Sequence, residues 1–252
     1  MNDLNWITFL ILGLIIGSFL NVVILRMDDL KTIVTGRSHC QSCQKNLRWI
    51  DLIPLISFAI LRGKCRYCGG KISLQYPLVE LVTGIMYTLI FVVFGFSLAT
   101  LFYILIFSLL MVVAVYDIKT QYVPETLVWI ILLLSLFGGF VGHFDIIKMF
   151  FGVLIGGGLL ASLVLISKEK WMGAGDIKIG IILGLLTGLE RSIVAVFIAF
   201  LLGSIVGLIY IYIAKKTIKA ALPFAPFLIF ATLVAVIWGN NIVNWYLGQI
   251  IY

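Results

Sequence analysis

The sequence predicts an all-α polytopic membrane protein: about eight transmembrane helices, with a small cytoplasmic zinc-binding domain after the first. Three observations carry that expectation. Hydrophobic residues make up 62% of the 252 positions and charged residues only 12%, whereas a soluble domain carries about 25% charge; mean hydropathy is +1.18. Charge-free runs long enough to cross a bilayer recur along the chain. All four cysteines and half of the 18 basic residues fall in one stretch near the N-terminus. A single soluble core is excluded.

Residues 4–25 form the first span. Their 22 charge-free positions make roughly 33 Å of helix, enough for a ~30 Å hydrocarbon core. A cleaved signal peptide would have a shorter apolar run and a basic region ahead of it, whereas here Arg26 follows. The expectation is therefore a retained helix with its N-terminus outside. Residues 81–116 run for 36 positions without a charge, or roughly 54 Å of helix, too long for one crossing. They should fold back near Gly95-Phe96-Ser97. Residues 126–142, 149–167 and 192–214 are further single spans, and 220–252 is charge-free with Pro223 and Pro226 near its start. The segment 177–189 is short and carries Lys178, so it reads as a short helix in a protein-lined cavity or a re-entrant piece. Eight spans result, or seven if that piece does not cross. The domains expected are helix 1 over 1–25, a four-cysteine zinc domain over 26–75, and a helical bundle over 76–252. No internal repeat stands out.

Basic residues set the orientation. Nine Lys and Arg lie between Arg26 and Lys71 against three acids (Asp28, Asp29, Asp51), so this segment holds +6 of the net +7 and is expected in the cytoplasm. Alternation then puts Lys119, Lys168-Glu169-Lys170 and Lys215/Lys216/Lys219 inside too. The connections near Ser97 and 142–145 fall outside. Asp117 and Asp176 come to the same cytoplasmic side.

Within the basic segment, Cys40-Gln-Ser-Cys43 and Cys65-Arg-Tyr-Cys68 are two Cys-x-x-Cys knuckles separated by 21 residues. Four thiolates at this spacing can close a tetrahedral zinc site. A reducing cytoplasm disfavours structural disulfides, and a domain of about 45 residues needs a staple. Free or redox-active thiols are the alternative. Four ligands leave no open position, so the metal would be structural. The positive charge is read as topology plus contact with anionic lipid. Nucleic-acid binding by a zinc ribbon is the other reading, but no basic helix with interleaved aromatics is present, and no nucleic-acid partner is expected.

Two carboxylates at membrane boundaries point to chemistry. Asp117 ends a long apolar run in Tyr116-Asp117-Ile-Lys-Thr-Gln-Tyr-Val-Pro124-Glu125, and Asp176 closes Gly173-Ala-Gly175-Asp176. An acid at bilayer depth is costly to keep and is by default a functional hypothesis. A close pair can share one proton and activate water for peptide hydrolysis without a metal. Gly173 and Gly175 would allow close backbone approach and unusual φ angles beside the acid. Each acid has a plainer reading: Asp117 paired with Lys119 at the boundary, Asp176 as a helix cap.

These residues together resemble the type IV prepilin peptidases, the leader peptidases and N-methyltransferases that belong to the Gly-x-Gly-Asp intramembrane aspartyl proteases. The resemblance spans nearly the whole chain. It includes Gly17-Ser-Phe-Leu-Asn21-Val-Val23, both knuckles, Asp51-Leu-Ile-Pro54, Arg62-Gly-Lys-Cys65 and Tyr76-Pro-Leu-Val-Glu80-Leu81. It continues through the Asp117…Pro124 loop, Gly173-x-Gly-Asp176-x-Lys178 and Pro223-Phe-Ala-Pro226-Phe. Departures are small: Gln41 for a common proline, Val123 for isoleucine, Ala225 for glycine. The resemblance implies a multi-pass enzyme of the bacterial inner membrane. It would remove the basic leader of prepilin-like proteins, of type IV pili or secretion systems, on the cytoplasmic side. It would then methylate the new N-terminal amine with S-adenosylmethionine. Asp117 and Asp176 take the catalytic positions, and Cys40, Cys43, Cys65 and Cys68 those of the zinc ligands. Gly173, Gly175, Pro223 and Pro226 shape the active site, although a proline kink at a helix entry accounts equally for the last two.

No glycine-rich nucleotide fingerprint marks a methyl-donor site. Gly156-Gly157-Gly158 reads as a helix-packing surface, and His39 and His143 as incidental. Glu80, an acid at a helix entrance, is the candidate for donor contact, with a first-turn acid favoured by the helix dipole as its plainer reading. Two other functions stay open at this point. One is a peptidase without methylation. The other is a non-enzymatic scaffold or transporter with a zinc-ribbon docking domain.

Overall fold

The computed structural model describes residues 5–27, 29–141, 146–214 and 222–250. His143 and Lys215, Lys216 and Lys219 lie outside them. The described residues hold no strand, only two isolated antiparallel bridges. The helices are α1 (Asn5–Leu25), α2 (Leu30–Thr35), α3 (Ile56–Ile60), α4 (Gln75–Phe94), α5 (Leu98–Thr120) and α6 (Glu125–Val141), followed by α7 (Ile146–Val153), α8 (Leu159–Ser167), α9 (Ala174–Ala214) and α10 (Ala225–Ile250). A 3-10 turn covers Trp49–Leu52, and a π-helical turn, Leu154–Gly158, joins α7 to α8.

Among the described residues, six helical stretches are long and apolar enough to cross a membrane, and Glu125–Gly138 is a shorter apolar one. The longest, α9, breaks at Gly188, which has φ 69° and ψ −172°. Dividing α9 there yields eight apolar helical segments among the described residues, in the order read from the charge-free runs. The hairpin forms where expected. Gly95 ends α4 with a left-handed φ of 60°, its N–H bonding to Phe91 O at 2.8 Å. Ser97 Oγ then accepts the Thr100 N–H at the start of α5.

The chain divides into two compact units, Met1–Thr100 and Leu101–Tyr252. In the first, α1 packs antiparallel on α4, because glycines let the backbones touch. A Cβ at Gly13 would sit 2.7 Å from Gly84 Cα, and one at Gly17 would sit 2.7 Å from Glu80 Cα. Small residues four apart are the usual means of such close membrane-helix contact. Buried Asn21 locks the register: its Nδ2 donates to Tyr76 O at 3.2 Å, and its Oδ1 accepts from Gln75 Nε2 at 3.2 Å. Phe9, Phe91 and Phe96 cluster at the opposite end, the first two stacked at 4.2 Å.

In the second unit, the first leg of α9 is the central helix, with Ile179, Ile182, Leu183 and Leu186 fully buried. The run 177–189 is thus a helix enclosed by protein. The α7–π–α8 segment lies against it through glycines: a Cβ at Gly152 would meet Gly184 O at 2.6 Å, and one at Gly180 would meet Gly156 O at 2.5 Å. Gly156 and Gly157 therefore form the packing surface expected of them. The break at Gly188 is held by Ser192 Oγ donating to Gly188 O at 2.6 Å and Arg191 Nε to Thr187 O at 2.9 Å.

Candidate active site

The Asp117 loop is built by local rules. Gln121 takes a left-handed φ of 55° and its N–H bonds to Asp117 O at 2.8 Å, which ends α5. Pro124 then precedes α6, whose first bond runs from Val128 N–H to Pro124 O, a position suited to a residue without an N–H. The Asp117 side chain turns inward and the residue is 5% exposed. Its carboxylate accepts the backbone N–H of Ala225. That donor is free because Ala225 begins α10, where the first N–H groups have no intrahelical acceptor. Pro226, the next residue, has no N–H to offer. The Pro223-Phe-Ala-Pro226 turn is in turn anchored on α9, with the Phe224 ring 5.0 Å from Phe200 and Gly203 leaving room for it.

Asp176 sits in the first turn of α9 and is 6% exposed. Its carboxylate accepts the Gly173 N–H, and its own N–H donates to Gly173 O at 3.1 Å. It therefore does cap its helix, at the end where a negative charge is favoured. It also does more: it lies near enough to Asp117 to feel that carboxyl's charge. No ion pair joins Asp117 to Lys119 among the described residues.

The two glycines differ in role. A Cβ at Gly175 would lie 2.9 Å from Val123 Cγ2, so the turn bearing Asp176 packs directly on the loop bearing Asp117. A Cβ at Gly173 would meet nothing within 4 Å, and neither glycine takes a left-handed φ. The expectation of unusual φ angles is thus not met, because Asp176 lies inside regular helix and its turn needs no reversal. Close approach holds at Gly175 alone.

A second tie joins the same elements. Lys178 Nζ donates to Glu125 Oε1 at 2.7 Å and lies 5.3 Å from the Trp129 ring centroid, fastening α9 to the first turns of α6. The sequence assigns no role to Ala225, Val123, Glu125 or Trp129. Only the placing of Lys178 two residues after Asp176, and of Glu125 directly after Pro124, hinted at the link.

In the first unit the knuckles have matching backbones. Cys40 N–H bonds to Lys45 O and Cys65 N–H to Gly70 O, with left-handed φ at the equivalent residues Gln44 and Gly69. The four sulfurs lie within 4.8 Å of one another, and Cys40 and Cys68 Sγ are 3.9 Å apart. Tetrahedral zinc with ~2.3 Å bonds needs sulfurs about 3.8 Å apart, so the set could hold a zinc ion. The N–H of Cys43 above all draws the Cys40 thiol down to about 6. Gly70 N–H pulls Cys68 the same way, but burial and the neighbouring thiols push it up to about 11. Four such groups cannot all ionise together without a cation among them. His39 stands aside, its Nδ1 3.2 Å from Arg37 O.

Behind the knuckles, Asp51 pairs with Arg66 at 2.6 Å and accepts the Arg48 N–H at 3.1 Å. Burial would raise its carboxyl, but these bonds outweigh it and hold the group below the usual carboxylate range. Glu80, 7% exposed, faces the same module from α4: its Oε2 accepts the Leu55 N–H at 2.9 Å, and Ser18 hydrogen-bonds its carboxylate. The Leu55 backbone is left-handed, at φ 58°. Glu80 is thus distant in sequence from the groups it holds and belongs to the module's wall.

Comparison with known proteins agrees with this layout. Residues 11–94 match the bacterial peptidase A24 N-terminal domain, and residues 104–208 match the type IV leader peptidase family. Both aspartates fall in the second match and all four cysteines in the first. Prepilin leader peptidase/N-methyltransferases are similar over nearly full length. That of Aeromonas salmonicida (strain A449) is 30% identical over 99% of this chain and 97% of its own. That of Bacillus subtilis (strain 168) is 30% identical over 94% and 96%, and that of Xanthomonas campestris pv. campestris 32% over 94% and 92%. No solved structure matches the chain significantly. With buried aspartates on two touching loops, a four-cysteine cluster and full-length relatives, the chain belongs to the type IV leader peptidase family.

Proposed function

We propose that this protein removes the basic leader of prepilin-like substrates at the cytoplasmic face of a bacterial inner membrane and N-methylates the residue exposed. The observation that carries the peptidase half is the meeting of Asp117 and Asp176 in a protein-lined, largely water-excluded setting. The mechanism works with one proton shared between the two carboxyls. The ionised member takes a proton from water, and the hydroxyl attacks the scissile carbonyl carbon. The protonated member hydrogen-bonds the carbonyl oxygen as charge develops there. When the C–N bond breaks, the leaving amine takes a proton from the pair, which returns to its starting state. The Ala225 and Gly173 N–H groups fix each carboxylate without supplying a proton. Gly175, Pro223 and Pro226 hold the loops in contact, and Gly173 contributes its N–H rather than a close approach.

In the methylation half, zinc bound by Cys40, Cys43, Cys65 and Cys68 is structural, since all four positions are taken by sulfur. S-adenosylmethionine, when bound, supplies an electrophilic methyl group on a positively charged sulfur. The chain's task is to hold that cation and to receive the new amine after it has lost its proton, and Glu80 is the acid placed for it. The N-terminus lies outside, with both sites inside, as the +6 charge of residues 26–71 favours.

The test is incubation of purified protein with a synthetic prepilin and S-adenosylmethionine, read by mass spectrometry. Asp117→Asn and Asp176→Asn each abolish leader removal while keeping wild-type helix content. Full cleavage by the double variant would sink the aspartate mechanism. A mature N-terminus that never gains a methyl group would leave a peptidase alone.

A further inference from the structure

Beneath the four-cysteine module, at the C-terminal end of α1 and the entry of α4, lies a cavity of about 360 Å³ within the first unit, inside the roughly 300–1,000 Å³ range of small-molecule sites. It is amphipathic. Ser18, Ser57, Asp51 and Glu80 line it together with the cations Arg26, Arg66 and Lys71 and the aromatic residues Phe58 and Tyr76. Its two acids are unlike. Asp51 is neutralised by Arg66. Glu80 receives only neutral donors, the Leu55 N–H and the Ser18 hydroxyl, and has no ion pair among the described residues. A buried carboxylate is costly unless a cation faces it.

We propose that this cavity is the methyl-donor site and that Glu80 is the counter-charge for the donor's cationic end. The proposal rests on the methyltransferase reading above. The occupant follows from the chemistry: a nucleoside-sized zwitterion, with a flat ring, a carboxylate and a separate positive charge, fits a space lined by aromatic rings, by Arg26 and Lys71, and by one carboxylate, Glu80, that has no ion pair among the described residues. A lone substrate amine would leave most of the volume unused. Gly17 explains how the acid reaches the wall, since it brings α1 against the α4 backbone at Glu80 itself. Leu55, held in its left-handed turn by Glu80, shapes the wall from the module's side.

S-adenosylmethionine and S-adenosylhomocysteine separate the roles, because they differ by the methyl group and the sulfonium charge. Binding of each is measured by calorimetry on the full-length protein in nanodiscs. The wild type prefers the charged donor. Glu80→Gln keeps an oxygen for the Leu55 N–H, so it binds S-adenosylhomocysteine as before and holds the same zinc, but its preference for the charged ligand falls roughly tenfold or more. Ser57→Trp, which fills the cavity, loses both ligands. A purely structural Glu80 would weaken both ligands alike. An unchanged preference in Glu80→Gln, or undiminished binding by Ser57→Trp, overturns the proposal. In that case a methylated product from the wild type would show that the bifunctional reading survives. A wild type that binds neither ligand and leaves the product unmethylated would overturn both.

Discussion

Replacing Gly175 by alanine tests whether contact between the two aspartate loops sets the catalytic geometry. The added Cβ would meet Val123 Cγ2 at 2.9 Å and Val123 Cβ at 3.0 Å, where ordinary contact begins at 3.4 Å. One loop must therefore retreat by about half an ångström. Catalytic groups tolerate roughly that much, and a misplacement of about 1 Å costs around a hundredfold. Gly175→Ala should thus lower kcat for leader removal about tenfold, measured on a synthetic prepilin in detergent. The overpacking should cost about 1–3 kcal/mol of stability. Val123→Gly removes the three atoms nearest the new methyl group, so the loss caused by Gly175→Ala should shrink in the Val123→Gly background, as a double-mutant cycle. Wild-type kcat in Gly175→Ala, or no coupling between the two positions, would refute the claim that this contact positions Asp176 against Asp117.

Three further outcomes are expected. Metal analysis should give one zinc per chain, lost in Cys65→Ser, with the module becoming sensitive to trypsin after chelation while leader removal by the second unit persists. Asp51→Asn should cost the module about 1 kcal/mol at neutral pH, since Arg66 is half exposed and screened. Because the folded carboxyl lies below its ordinary value of 3.8, the wild-type contribution is present above that value and fades as pH falls through the folded one; in Asp51→Asn the corresponding acid slope in urea unfolding should vanish. Gly17→Ala places a methyl 2.7 Å from Glu80 Cα, so α1 and α4 must part, at a cost of about 1–3 kcal/mol, and binding of S-adenosylmethionine should weaken with it.

The helical plan, the four cysteines that cluster and the two aspartates that approach one another are all legible in the sequence. Membrane spans are legible because a run such as 81–116 must exclude charge along its own length, and Gly95-Phe96-Ser97 breaks it with residues that can leave a helix. The four-cysteine module was legible because Cys-x-x-Cys carries its ligand geometry within four residues. Paired acids at membrane boundaries were legible because burial makes such residues rare. Tertiary structure alone decided which partners they meet. The Ala225 N–H reaches Asp117 across 108 positions, Lys178 reaches Glu125 across 53, and Val123 is what requires glycine at 175. None of these leaves a periodic or compositional trace, since each depends on where helix ends converge. The role of Gly173 also needed the fold: a glycine read as a close-approach residue proved to face open space and serve through its N–H. Asp117 and Asp176 were visible as costly charges in the chain; only packing could bring their loops together, because a carboxylate pair is a property of distance and not of either residue.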